Sequence, residues 1–366
     1  MVEAKKTKIL NYINVFRGLA ILLIVAGHSM QFGEVGSLTQ KISVEIFAGG
    51  TALFIFISGF LFQHLSGKYE FNSYLSKKWT NVIQPYLWTA IPGLLFCFLF
   101  PIRYGNALEG LNPLLQIPMM LSVGRIHNTP AWFIPMIVLF FLSSWFLLNL
   151  EKRGWLYKIM PIMFLITIFM PRVDVDYNSV INLSYGAKYL EYLKYVFFGY
   201  IHFFSMYVFG MFCSVHKDII DKFWNFRWIL IQRMIISASF NIYASINFGF
   251  SNGTISKIFL TVIALAYLKH FDEWLISHKK LNNLLDIIAK YSFGIFFIHW
   301  YVFFLYNLTF GLPNVMTVIG NIGATLGLVF IRFIVVTSFS VFTLWVTKQF
   351  ILKINPEANT RSFIGV

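Results

Sequence analysis

The chain is 366 residues long, 58% hydrophobic and only 12% charged, with a formal net charge of +14. Soluble domains carry about 25% charged residues, so there are too few charges here to cover a water-facing surface of this size. The apolar residues fall in long blocks near or above the roughly 20 residues needed to cross a bilayer. Composition therefore excludes a soluble domain and reads the surplus lysine and arginine as topology signals and contacts to anionic membrane lipid, with no nucleic-acid partner.

Ten apolar segments follow in chain order, at about 11–32, 44–65, 82–101, 131–150, 156–171, 193–214, 228–248, 254–270, 288–310 and 321–349. A spanning segment must satisfy its own backbone hydrogen bonds, so each is read as a helix. The predicted fold is all-α, a polytopic transmembrane helix bundle of about ten spans. It forms one domain over 1–352, with a short cytoplasmic tail at 353–366. Lys5, Lys6 and Lys8 precede a first run too long for a signal peptide and followed by no small-residue cleavage site, so it is read as a retained span.

Positive charge sets the orientation. With both termini cytoplasmic, the inner segments hold Lys5, Lys6, Lys8, Lys68, Lys77, Lys78, Lys152, Arg153, Lys158, Lys217, Lys222, Arg227, Lys269, Lys279, Lys280, Lys290, Lys348, Lys353 and Arg361, which is 19. The outer loops hold Lys41, Arg103, Arg125, Arg172, Lys188 and Lys194, which is six. That bias follows the positive-inside rule at every inner loop.

Polar groups inside a bilayer are expensive and are functional candidates by default. The first span contains Arg17 and His28, eleven residues apart. At 100° per residue they share one helix face, roughly 16 Å apart along the axis. They cannot touch, but one long molecule can reach both. Arg17 near the cytoplasmic mouth can hold phosphate or amide oxygens of coenzyme A, and the pantetheine arm can then present its thioester near His28. There the imidazole can act as general base toward an acceptor hydroxyl, or carry the acyl group itself. The structural readings are a snorkelling arginine and a buried histidine bonded to a neighbouring helix.

The run from Asn14 through Arg17 to Gly27 and His28 resembles the opening of the acyltransferase-3 family of bacterial integral membrane O-acyltransferases. That family includes O-antigen, capsule and exopolysaccharide O-acetylases and fucose 4-O-acetylase-like proteins. The segment Leu53–Leu61, containing Ser58 and Gly59, resembles the family's second span. Tyr74–Lys78 with Gln84, Pro85 and Tyr86 resembles its basic loop before a Pro-Tyr pair. Ala131, Trp132 and Phe133 resemble the entry to the fourth span, and Tyr291–His299 a late segment ending in histidine. The order holds over about residues 11–345. Many members carry two arginines three apart where this chain has Lys78 and Asn81, and a lysine keeps the charge without the bidentate fork.

The resemblance implies transfer of an acetyl or similar acyl group from cytoplasmic acetyl-CoA to a hydroxyl of a surface glycan or lipid-linked oligosaccharide, in the bacterial inner membrane. His28 is the expected catalytic residue, and Arg17, Lys77 and Lys78 the expected donor-binding residues. His299, Ser58, Trp132, His127 and Arg125 are candidate lining residues, the last three as a sugar platform. Ser58 and Gly59 also suit close helix packing, and His202 suits a bonded role between helices. Arg332 has no intramembrane acid to pair with, leaving helix-terminus carbonyls or a lipid phosphate. Cys97 and Cys213 have no metal-ligand spacing, and no His-Glu-x-x-His or Walker lysine loop is present, so no metal is expected. The competing reading is a transporter or flippase that uses the same buried Arg17 and His28 as a solute path or proton relay. The absence of internal repeats weighs against it.

Overall fold

The computed structural model describes residues 10–68, 70–100, 108, 110–126, 130–172, 180, 182–312 and 321–366. Among the described residues the regular structure is entirely helical. The helices are α1 (Asn11–Ser29), α2 (Leu38–Phe47), α3 (Gly50–Leu65), α4 (Phe71–Lys78), α5 (Gln84–Leu99), α6 (Pro113–Val123), α7 (Phe133–Lys152) and α8 (Met160–Phe169). They continue with α9 (Tyr185–Val215), α10 (Asp218–Asn225), α11 (Arg227–Asn247), α12 (Thr254–His270), α13 (Asp272–Ser277), α14 (Lys279–Phe310), α15 (Ile322–Ile354) and α16 (Thr360–Ile364).

Among the described residues, eight helical stretches are long and apolar enough to cross a membrane: α1, Leu38–Lys68, Phe71–Leu99, α7, α9, α11, α14 and α15. The chain is an integral membrane protein with an all-α bundle fold. The expected segments at 156–171 and 254–270 form α8 and α12, of 10 and 17 residues. At 1.5 Å per residue α8 covers only about half of a ~30 Å hydrocarbon core. In contrast, α9, α14 and α15 run for 31, 32 and 33 residues. Each exceeds the span its apolar run suggested, so each reaches well beyond the hydrocarbon.

The centre of the bundle is the crossing of α3 and α9, and glycine makes it possible. A Cβ on Gly59 would lie 2.0 Å from the Tyr207 carbonyl oxygen, and one on Gly210 would lie 2.1 Å from that of Phe56. Small residues on both helices thus bring the two backbones together, which is how helices associate where no hydrophobic force acts between them. Next to Gly59, the Ser58 hydroxyl donates back to the Phe54 carbonyl at 2.8 Å.

Helices α1 and α14 run side by side in the same direction. Gly18 approaches Leu285 and Ala289, while ten residues farther along His28 meets His299 and Trp300. A polar stripe on α1 joins them at the Arg17 end. Asn11 donates to Asp272 at 2.9 Å and to Asn282 at 3.1 Å, and Asn14 donates to Asp286 at 2.7 Å. At the other end, Arg332 of α15 is completely buried and donates from Nε to the Ser29 carbonyl at 2.6 Å and from a terminal nitrogen to the Gln31 carbonyl at 3.3 Å. A helix leaves its last carbonyls unsatisfied, so the C-terminus of α1 supplies acceptors for this intramembrane arginine.

A second polar cluster ties α2 to α11 and α12. The Glu45 carboxylate accepts from Asn241 at 2.6 Å and from the Ser256 hydroxyl, and Lys257 donates to the Glu45 carbonyl oxygen. Both charged side chains are buried, where an unpaired charge would be costly. Gly49, at φ 96°, makes the turn from α2 into α3 against the Lys257 stem, where a Cβ would come within 2.7 Å. This turn lies beside the last turn of α1, since Gly27 abuts Phe47 and Ala48.

Candidate active site

A cavity of about 700 Å³ opens beside the N-terminal half of α1, within the ~300–1,000 Å³ typical of ligand and cofactor sites. Arg17 of α1, Lys77 and Lys78 of α4, Ser58 and His64 of α3, Lys290 and Ser292 of α14, Lys348 of α15 and Arg361 of α16 all line it. The structure thus brings together the three basic residues singled out in the sequence, from segments about sixty residues apart. Among the described residues, no aspartate or glutamate side chain lines the cavity. Arg17 donates to the Asn14 side chain at 2.9 Å, and its buried Nε has no partner among the described residues. Asp286 holds Asn14 on one side and Lys290, at 2.7 Å, on the other. It therefore fixes the pose of Arg17 without neutralising it by direct contact. The Lys78 ammonium lies 5.1 Å and 4.7 Å from the ring centres of Tyr74 and Phe141, a cation–π setting that holds its stem against the wall.

The inner end of the cavity is aromatic. Phe54 and Phe133 line it, and both rings pack on Phe296, with centroids 6.5 Å and 5.0 Å away. On the far side, Phe296 lies 6.4 Å from the His299 ring. One layer of phenylalanine therefore separates the basic cavity from the histidines, and His28 is not among the cavity residues.

His28 and His299 face each other across the α1–α14 seam with ring centroids 5.3 Å apart, and the edge of Trp300 closes on His28 at 4.5 Å. His299 is fully buried. Its Nδ1–H donates to the Ile295 carbonyl at 2.9 Å, and its Nε2 has no partner among the described residues. The backbone bond thereby fixes the tautomer of the neutral ring, leaving the Nε2 lone pair free in the site. His28 is only half-buried. A half-open imidazole beside a buried one with a free lone pair can accept a proton and be steered while doing so.

Trp132 opens α7 at the same end and carries the Arg172 guanidinium 3.7 Å above its ring. Arg172 also donates to the Tyr195 hydroxyl at 3.0 Å and 2.5 Å, and its charge reaches His28 and His202. Arg125 lies over the rings of Tyr192 and Tyr195, at 5.0 Å and 4.7 Å. Trp132 and Arg125 therefore belong to one aromatic–arginine patch, and Arg172 rather than Arg125 stacks on the tryptophan. His127 lies outside the described residues. His202 is buried and bonded on both sides, Nδ1 donating to the Met170 carbonyl at 2.7 Å and Nε2 accepting from Thr254 at 2.8 Å. That leaves it no free nitrogen for chemistry.

Three features were not visible in the sequence. Asn14 and Asp286 position Arg17, Arg172 completes the Trp132 patch, and Arg361 reaches the cavity from the end of the chain. Asn14 and Asp286 do sit on helix faces three and four residues from Arg17 and Lys290, and that spacing is the one available hint.

The helix bundle thus carries a basic cavity at one end of α1 and a histidine pair near the other. Residues 10–346 match the acyltransferase-3 family model, described as an acyltransferase domain. The match spans nearly the whole chain, and the protein belongs to that family. No curated protein and no solved structure matches the chain. The protein is thus a membrane acyltransferase.

Proposed function

We propose that the protein moves an acetyl or similar acyl group from acyl-coenzyme A, bound from the cytoplasm, to a hydroxyl of a cell-surface polysaccharide or its lipid-linked precursor, in the bacterial inner membrane. The observation that carries this reading is the stacking of two unlike sites along α1. Arg17 lines a cavity whose charged side chains, among the described residues, are all basic, and His28, eleven residues on, sits beyond one aromatic layer with His299. Phosphates suit the first site and acyl chemistry the second.

In this reading the donor's nucleotide end rests among Arg17, Lys77 and Lys78, while its pantetheine arm follows Ser58 toward Phe54 and Phe133. Passage of the thioester requires these rings and Phe296 to turn aside. The acceptor hydroxyl oxygen attacks the thioester carbonyl carbon, and the new C–O bond forms as the C–S bond breaks. His28 takes the hydroxyl proton and returns it to the departing sulfur, so coenzyme A leaves as the thiol. His299 holds the His28 ring through its free Nε2. Trp132, Arg172 and Tyr195 offer the acceptor a stacking face and donors for sugar hydroxyls. Family membership favours bond chemistry over the transport alternative.

Comparison of a deletion strain with its parent tests the function. The parent's surface glycan is expected to carry O-acyl esters, released by mild alkali, that the deletion strain lacks and a plasmid copy restores. Identical ester content in the two strains sinks the proposal.

The orientation is tested separately. Cysteines introduced at exposed Gly154 and Gly249 are accessible probes, because the native Cys97 and Cys213 are buried. A membrane-impermeant maleimide applied to whole cells is expected to label Gly249→Cys and not Gly154→Cys. The opposite pattern would place Arg17 at the outer face and remove the cytoplasmic donor.

A further inference from the structure

Helix α16 lies beyond the matched region, in a stretch that reads in sequence as a polar tail. It is nonetheless docked into the bundle. The Thr360 hydroxyl donates to the Val366 carbonyl at 2.5 Å, closing the segment on itself, and Phe363 packs its ring 6.0 Å from that of Trp88 on α5. On α14, a Cβ at Gly294 would meet the Ile364 carbonyl at 2.8 Å, so the glycine leaves the room in which the segment sits. Gly365, at φ 77°, turns the chain against Phe293 and Gly294.

This docking places Arg361, which stays exposed, on the lining of the cavity. Its side chain lines the same space as Arg17 and Lys78, and its charge acts on both. Among the described residues, the Arg361 side chain forms no ion pair and no hydrogen bond, while its backbone carbonyl accepts from Gly365 at 3.1 Å. The Arg17 Nε is likewise without a partner, and Lys78 rests on aromatic rings instead of a carboxylate. Three cations from α1, α4 and α16 thus converge on one cavity that, among the described residues, no aspartate or glutamate side chain lines. Like charges gathered this way repel one another until an anion sits between them. Two guanidinium groups on the lining of one cavity match a ligand that carries more than one phosphate.

We propose that Arg361 is a third anion-holding arm of the donor cavity, closing with Arg17 and Lys78 on the phosphates of coenzyme A; the proposal rests on the acyl-coenzyme A reading above. The C-terminal segment is then part of the donor site and not an appendage to it.

Binding of coenzyme A and of S-acetylpantetheine, which lacks every phosphate, to the full chain in zwitterionic-lipid nanodiscs tests this. The neutral-charge lipid keeps anionic headgroups from competing for the arginine. Arg361→Ala is expected to weaken coenzyme A binding by roughly tenfold or more, as for loss of a charge-assisted hydrogen bond. Arg361→Lys should recover part of that loss, and acetylpantetheine should bind both variants and the wild type alike. If Arg361→Ala holds coenzyme A as tightly as the wild type, the third arm is overturned while the acyl-coenzyme A reading stands. An equal loss with acetylpantetheine marks a collapsed cavity wall and overturns the phosphate role. A wild type that binds no coenzyme A overturns both readings.

Discussion

His28→Ala is expected to stop acyl transfer while the protein stays in the membrane and still binds its donor. Loss of a general base costs roughly 10²–10⁴-fold in turnover, the largest effect expected of any single side chain here. His28 is not a core filler. It is half-buried, its side chain forms no hydrogen bond among the described residues, and its neighbours are the rings of His299 and Trp300. The α1–α14 seam is held elsewhere, by the bonds of Asn11 to Asn282 and Asn14 to Asp286 at one end, while Arg332 clasps the C-terminus of α1 at the other. Alanine therefore removes chemistry with little loss of packing. The measurement is ester formation beside coenzyme A binding and membrane abundance, with His28→Gln as a partner variant that preserves volume. Wild-type turnover in either variant would reject His28 as the base. His299→Ala should slow turnover without changing donor binding, because the ring acts through His28. Its distinguishing mark is a displaced pH–rate profile, which a packing role would not produce.

The split between what was legible and what was not follows the range of the interactions. Arg17 and His28 stand out because a charge or an imidazole in an apolar run is costly, and their spacing alone puts them on one face. The Gly59 contact was foreseeable as small-residue packing, although its partner Gly210 was not. Arg332 was recognisable as an arginine in need of carbonyls, but not as the clasp on the Ser29 end of α1. In contrast, the pairing of His28 with His299 joins residues 271 positions apart by the count of the chain, and no local pattern carries it. Arg361 is invisible for the same reason: a basic residue in a polar tail looks solvated until the space beside Gly294 is seen to receive its helix. Helix ends were misjudged where polar residues continue a helix out of the membrane, as at Lys279–Asp286 of α14 and Tyr185–Tyr192 of α9. Hydropathy marks the apolar run, whereas the backbone hydrogen bonds continue past it.

Arg17→Ala is expected to do the opposite of His28→Ala, weakening the donor and sparing the chemistry of whatever donor still binds. The guanidinium is braced before any ligand arrives. Asp286 fixes Asn14, and Asn14 accepts from one terminal nitrogen of Arg17, whose side chain lines the cavity. A preorganised fork loses less freedom on binding than a flexible ammonium. Removal of one charged hydrogen bond costs about 1.5–3 kcal/mol, or roughly 10- to 150-fold in coenzyme A affinity. Arg17→Lys keeps the charge without the fork and should fall between alanine and wild type. Because Arg17 and His28 lie roughly 16 Å apart on one helix, the loss should appear mainly in KM, with kcat recovered at saturating donor. Asn14→Ala should move the same parameter by less, since it frees the arginine without removing it. The deciding comparison is coenzyme A affinity of Arg17→Ala against His28→Ala in the same nanodiscs. Unchanged affinity in the arginine variant would make Arg17 a topology anchor, and the division of α1 into a binding end and a chemical end would fall with it.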